Sequence, residues 1–257
     1  MSVTDSAGSL LWGFHAVAAR LARGGEGLLA LHVAQRRGDA RMRELLERAR
    51  ALGVPVLAED MARIEALCPG RRHQGVVLRA QAAAPLAESL EAVLDAQATP
   101  LLLLLDGVTD PRNLGACLRV ADGAGVHAVV APKDHACPLT EAAVQTASGA
   151  AESVPYLMVT NLARTIDELQ ERGITVIGTA DGTEATVFEA EIPPAVAWVL
   201  GAEGKGLRRL TRERCDTLVS IPMVGRVSSL NVSVAAGVVL YETLRRRLAG
   251  GSGAQGR

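Results

Sequence analysis

Apolar positions along this chain follow two periods, one helical and one extended, and their alternation sets out the elements. Phe14, Val17, Ala18 and Leu21 share one helical face, which predicts a helix over residues 13–21 behind a loose tail at residues 1–10. Residues 28–33 read as an apolar strand. Asp39 reads as the cap of a helix through Leu45, Leu46, Ala49 and Leu52, ended by Gly53 and Pro55. A strand at 54–57, a short helix at 60–67 and a strand at 75–78 follow. Residues 11–80 therefore make a small α/β unit.

A shift in composition comes next. Ala82, Ala83, Ala84 and Pro85 open a linker over residues 81–98, with one or two helical turns near 86–94 and a domain boundary near 84–98. Beyond it lies a second domain, residues 99–249. The five leucines Leu101 to Leu105 have the unbroken apolar character of a buried parallel strand. A polar loop from Asp106 to Asn113 carries a turn signal at Asp110-Pro111. Helices are predicted at 114–124, 140–148 and 162–172, the last capped by Asn161. Strands are predicted at 128–130, 154–159, 175–178, 195–200 and 218–221. A long apolar helix then runs towards Leu248, and residues 250–257 read as a disordered tail. This order predicts an α/β fold, a parallel sheet with helices on both faces and ligands at the carboxyl ends of its strands.

Composition sharpens the picture in three places. Apolar residues are 49% of the chain but aromatics only 2%, so the core is built from Leu, Val, Ile and Ala. The net charge of −1 conceals a gradient. Residues 1–80 hold 12 arginines against 8 carboxylates, and the remainder 15 basic against 20 acidic residues. The front can meet phosphates; the body does not advertise that role. Cys68, Cys117, Cys137 and Cys215 are scattered, which fits a reducing compartment and neither a disulfide scaffold nor a zinc site. There is no secretory pattern at the start and no apolar run of membrane-spanning length, so the expectation is a cytoplasmic protein with no membrane partner and no metal.

Four loops are candidates for chemistry. In the front unit, Arg71-Arg72-His73-Gln74-Gly75 is either a solvated turn or a phosphate contact, with Arg36, Arg37 and Arg41 as further candidates. In the second domain, Asn113 and Arg119 follow the first strand, and Asn113 could simply cap its helix. Gly201-Ala202-Glu203-Gly204-Lys205-Gly206 is not a phosphate loop, because Gly206 stands where Ser or Thr is required. Its glycines let backbone approach a ligand closely. The fourth stretch runs from Ile221 through Ser228, Ser229, Leu230, Asn231 and Ser233 to Gly237. It holds more small polar groups than one helix cap needs.

Together, Asn113-x-Gly115-x-x-x-Arg119, Gly201-x-Glu203-x-x-Gly206 and Ile221-Pro222-Met223-x-Gly225-x-x-Ser228-Ser229-Leu230-Asn231-Val232-Ser233 resemble the three motifs of the SpoU/TrmH family of RNA ribose 2′-O-methyltransferases, within the SPOUT superfamily. The likeness covers about residues 101–247. The loops at 106–113 and 149–155, with His73-Gln74-Gly75, resemble the members that act on a guanosine of 23S rRNA and carry a small ribosomal-protein-like RNA-binding domain in front.

The resemblance implies a trefoil-knotted methyltransferase domain that binds S-adenosyl-L-methionine in the knot. It implies cofactor contacts at Thr179, Gly201, Ile221 and Leu230, and a homodimer in which Arg119 faces the partner's cofactor. Asn113, Arg119, Glu203, Ser229 and Asn231 are the expected catalytic set, with Glu203 holding the Arg119 guanidinium. The same motifs also leave open a tRNA ribose methyltransferase, or a non-catalytic RNA-binding protein of the same fold.

Overall fold

The computed structural model describes residues 8–35 and 39–251. The chain divides into two units, Met1–Leu86 and Ala87–Arg257.

In the first unit, β1 (Ser9–Trp12), β2 (Leu28–Ala34), β3 (Val56–Glu59) and β4 (Val76–Ala80) form a sheet of order β1-β4-β2-β3. Helices α1 (Phe14–Ala22), α2 (Ala40–Ala51) and α3 (Met61–Leu67) connect them. Asp39 and Asp60 cap α2 and α3 by accepting from Met42 N and Arg63 N, at 3.0 and 2.7 Å. Four residues expected in or beside the loose tail instead make the edge strand β1, antiparallel to β4. Their alternation is too short to read without the partner strand. Phe14, Val17, Leu21, Leu31, Leu45 and Leu78 bury together as the core of this unit.

The second unit begins with α4 (Leu90–Asp95), capped by Ser89, whose Val93 and Leu94 are buried against the sheet core. Six strands follow: β5 (Leu101–Asp106), β6 (Ala128–Pro132), β7 (Tyr156–Val159), β8 (Thr175–Thr179), β9 (Val196–Gly201) and β10 (Thr217–Val219). They pair in parallel throughout, in the order β10-β8-β9-β5-β6-β7. Leu101–Leu105 are all at most 1% exposed, as expected of a strand covered on both faces. Their side chains divide between two clusters. Leu101, Leu103 and Leu105 face α5 (Pro111–Gly123) and α9 (Val232–Gly251), while Leu102 and Leu104 face α7 (Leu162–Glu171) and α4.

Three local expectations change. Helix α5 starts three residues early, because Asp110 caps it by accepting from Arg112 N and Asn113 N, with Pro111 in the first turn. Asn113 is therefore not the cap. A short helix α8 (Arg209–Arg214) lies between β9 and β10, where none was predicted. Helix α9 continues to Gly251, through glycines expected to be a tail. Arg36, Arg37 and residues 252–257 lie outside the described residues.

Helix α9 is tied to the second unit at several points. The Trp198 indole N–H donates to Thr243 Oγ1 at 2.9 Å. Arg246 donates to the carbonyls of Ala190, Phe188 and Val187, which belong to the β8–β9 connection, at 2.5, 2.7 and 3.3 Å. Arg247 reaches the carbonyl of Pro194 at 2.6 Å. No described helix is long and apolar enough to cross a membrane.

Candidate functional site

Three neighbouring strands of the second sheet, β8, β9 and β5, end on Thr179, Gly201 and Asp106. Parallel strands that end side by side leave a crevice at their carboxyl edge. Two cavities occupy it. The first, about 290 Å³, is lined by Thr179, Gly201, Glu203, Ile221, Ser229 and Leu230 among others. All four residues expected to contact cofactor thus line one cavity. Its walls mix apolar groups (Leu200, Val232, Ala235) with Thr179, Asp181 and Ser228. The second cavity, about 640 Å³, is lined in part by Asn113 and shares Ala202, Glu203, Lys205, Gly206 and Val232 with the first.

The wall between them is a tight turn. Ala202 O accepts from Lys205 N at 3.2 Å and Gly206 N at 2.9 Å, with Gly204 and Gly206 at φ +74° and +65°. Glycine adopts such angles at the least steric cost. Gly201 has a different reason to lack a side chain: a Cβ there would stand 2.0 Å from the Gly206 carbonyl carbon. The glycine lets the turn fold back against its own strand. Gly115 of the first motif is similar, since a Cβ there would meet Ala143 O of α6 (Glu141–Ala147) at 2.3 Å.

The turn is anchored from below. Asp106 is fully buried and accepts from Arg208 N at 2.9 Å and Arg208 Nε at 2.5 Å. Neither residue stood among the sequence candidates. A carboxylate directly after five leucines was the available signal. A buried carboxylate stripped of its partner costs about 3–5 kcal/mol, so the pair fixes the start of α8 and the end of the Glu203 turn.

Asn231 joins the motifs. Its Oδ1 accepts from Ser233 N at 3.0 Å and Ser233 Oγ at 2.7 Å, which makes it the cap of α9. Its Nδ2 donates to Asn113 Oδ1 at 2.9 Å and to Glu203 Oε2 at 3.4 Å. One side chain from each motif therefore meets at the boundary of the two cavities. Ser229 is exposed on the rim of the first cavity. Arg119 stands apart on the outer surface of α5, where its Nη1 donates to Ser148 Oγ at 3.4 Å. Within one chain Glu203 accepts from Asn231, and the Arg119–Glu203 contact is not formed.

The cysteines are placed for packing. Burial pushes the Cys117 and Cys215 thiols up to about 12, with Asp216 and Asp106 adding to the effect at Cys215. Both are inert thiols at neutral pH. Among the described residues no group of three or more His, Cys, Asp or Glu could hold a metal ion.

In the front unit the basic loop is held from inside. His73 is buried; its Nδ1 accepts from Gly75 N at 3.0 Å and its Nε2 meets Glu65 Oε2 at 3.0 Å. This leaves Arg71 and Arg72 exposed on the loop, with the Arg71 guanidinium over the Trp12 ring at 5.2 Å. Arg41 is exposed at the start of α2.

Residues 100–241 match the SpoU rRNA Methylase family, and residues 10–86 match the RNA 2′-O ribose methyltransferase substrate binding family. The chain belongs to the SpoU rRNA methylase family. It is 54% identical over 243 residues to the 23S rRNA (guanosine-2′-O-)-methyltransferase RlmB of Ralstonia nicotianae, covering 94% of this chain and 97% of that one. It is 50% identical over 238 residues to the protein of the same name from Neisseria meningitidis, covering 93% and 95%. Among solved structures, an RNA 2′-O ribose methyltransferase matches with a TM-score of 0.74 at 28% identity, covering 93% of this chain and 88% of that one. The SpoU methyltransferase AviRb from Streptomyces viridochromogenes, in complex with AdoMet, matches with a TM-score of 0.72 at 26% identity, covering 95% and 92%. The α/β fold with its parallel sheet is thus that of the SpoU/TrmH methyltransferases.

Proposed function

We propose that this protein is an S-adenosyl-L-methionine-dependent methyltransferase that methylates the ribose 2′-hydroxyl of a guanosine in 23S rRNA. The observation that carries the reading is the meeting of Asn113, Glu203 and Asn231 beside a cavity lined by Thr179, Gly201, Glu203, Ile221 and Leu230. The names of relatives about half identical over nearly the whole chain support the same reaction and substrate.

The first cavity suits the cofactor. It is a concave site of about 290 Å³ whose walls join apolar groups such as Leu200, Val232 and Ala235 to polar ones such as Thr179, Asp181 and Ser228, as an amphiphilic nucleoside needs. Thr179, Gly201, Ile221 and Leu230 hold it there. The cofactor supplies an electrophilic methyl group when bound. The protein's task is alignment and handling of the hydroxyl's proton and charge. Asn113 and Asn231 fix each other and orient the ribose, with Ser229 on the rim. Glu203 restrains the Asn231 amide from the other side. Arginine holds its proton too firmly to act as a base, so Arg119 serves as a binder of phosphate or of the developing alkoxide.

The working form is a homodimer with Arg119 facing the partner's site. Its support is the exposed face of α9, where Val234, Tyr241 and Leu248 recur seven residues apart at 51%, 51% and 65% exposure. Such an apolar stripe suits a second helix. The exposure of Arg119, away from its own Asn231, fits the same arrangement. A trefoil knot accords with β10 lying at the sheet edge while α9 returns to β9 and clasps the β8–β9 connection through Arg246. The first unit recruits the rRNA through Arg71, Arg72 and Arg41, and the compartment is the cytoplasm, in keeping with four free cysteines.

The test is methyl transfer from labelled cofactor to unmodified 23S rRNA and, separately, to tRNA, with the methylated nucleotide mapped. One guanosine of 23S rRNA is the expected product. Transfer to tRNA alone, or to neither RNA, overturns the reading.

A further inference from the structure

Resting on that reading, we propose that the second cavity takes the guanine base of the nucleoside being methylated, and that Asp110 and Lys205 read its edge. The cavity of about 640 Å³ lies within the range of about 300–1,000 Å³ usual for small-molecule sites. Its wall against the first cavity is the Ala202–Gly206 turn, and Glu203 lines both. Asn113, whose Oδ1 accepts from Asn231, also lines the second cavity. A ribose placed at the Asn113–Glu203 boundary, hydroxyl towards the first cavity, directs its base into the second.

The groups available there match the edge of guanine, which offers two adjacent donors where uracil offers one. Asp110 Oδ1 is held by the N–H groups of Arg112 and Asn113 at 2.7 and 3.0 Å. Its carboxylate is therefore rigid, and Oδ2 has no hydrogen-bond partner among the described residues. Of the other two carboxylates of the cavity, Asp106 is spent on Arg208, and Glu203 accepts from the Asn231 amide at 3.4 Å. The Lys205 ammonium forms no ion pair or hydrogen bond among the described residues and lines the same cavity. Guanine presents donors at N1 and N2 and an acceptor at O6, which a fixed carboxylate and an ammonium satisfy together. Adenine presents an acceptor at N1 and a donor at N6, so both groups would face like partners. Cytosine fails in the same way at N3.

The experiment uses the full-length protein and a 23S rRNA fragment in which the target guanosine is replaced by inosine or adenosine. Asp110→Ser keeps a good helix cap and removes the second oxygen; Lys205→Met removes the ammonium from a surface turn. Wild type is expected to favour guanosine over adenosine by 100-fold or more in kcat/KM, and over inosine, which lacks the N2 amine, by about tenfold. Asp110→Ser is expected to bring the guanosine-to-inosine ratio near one and the guanosine-to-adenosine ratio below about tenfold. Lys205→Met is expected to lower the latter ratio alone. Melting temperature should stay near wild type in both variants, and cofactor Kd, by calorimetry, should stay near wild type in Asp110→Ser. A wild-type base preference that persists in both folded variants, or a wild type indifferent to the base, overturns the assignment while leaving the methyl-transfer reading standing. Absence of transfer by wild type would overturn the reading beneath it.

Discussion

Asn231 Nδ2 donates to Asn113 Oδ1 at 2.9 Å across 118 residues of chain, and the same Asn231 caps α9 through its Oδ1. One amide thus starts the last helix and locks it to the first motif. The two jobs separate chemically. Asn231→Ser retains capping but has no amide to reach Asn113, so it should fold with stability close to wild type and lose activity by about 100-fold or more. Asn231→Ala should lose the same activity and about 1 kcal/mol of stability besides. Comparable activity in wild type and the serine variant would show that the bridge is dispensable.

Gly201 is constrained by the chain itself. Gly201→Ala places a methyl 2.0 Å from the Gly206 carbonyl carbon, so the turn carrying Glu203 must move. The expected result is a cost of about 1–3 kcal/mol together with weakened cofactor binding. Thermal melts and calorimetry on one preparation check both. Loss of binding with an unchanged melting temperature would mean that the methyl meets the ligand and not the turn.

The clasp on α9 should be sensitive to acid. Hydrogen bonds from Arg245 first, and then Arg246, hold the Glu242 carboxyl down to about 2. A carboxyl depressed on folding stabilises the native state above its unfolded value of about 4.3, and that contribution disappears as pH falls towards about 2. Glu242→Gln should therefore melt below wild type at pH 6, and the gap should close steadily on acidification to pH 2.5. A gap independent of pH would exclude this ionisation as the cause.

The proposed sharing of active sites across a dimer predicts complementation. Arg119→Ala and Asn231→Ala should each be nearly inactive while folded. Random mixing makes half the dimers mixed, and one of the two sites in each mixed dimer inherits neither change. Co-expressed chains should then recover about a quarter of wild-type activity. Demonstrated heterodimers that stay inactive would place Arg119 within its own site. The companion change Tyr241→Asp, on the exposed face of α9, should shift the sedimenting species towards monomer.

The place to divide the protein is Ala87, because Val93 and Leu94 of α4 are buried against the second sheet. A fragment starting there should bind cofactor like the full chain and bind rRNA far more weakly. A fragment starting at Thr99 exposes that apolar surface and should melt lower. Equal rRNA affinity of the Ala87 fragment and the full chain in a filter-binding titration would deny the first unit a recruiting role.

The alternation of elements was legible in the chain because each signal is local. Leu101–Leu105 announce a strand covered on both faces, and Asn161 caps α7 through Arg164 N as its position suggests. The motif residues were named through the resemblance to the SpoU/TrmH family, for by themselves such small polar groups at a helix start could have been caps and no more. What stayed hidden depends on partners distant in sequence. Ser9–Trp12 is a strand only because β4 lies beside it. Asp106 matters only because Arg208, 102 residues on, folds back to it. Gly201 must be glycine because of Gly206, and Gly115 because of Ala143. Short-range periodicity reports which face of an element is buried; it carries no record of which backbone will arrive there. The identities of the residues were set by the sequence, and the tertiary structure decided which of them share a cavity, for close approach and hydrogen bonding depend on distances that only the folded chain defines.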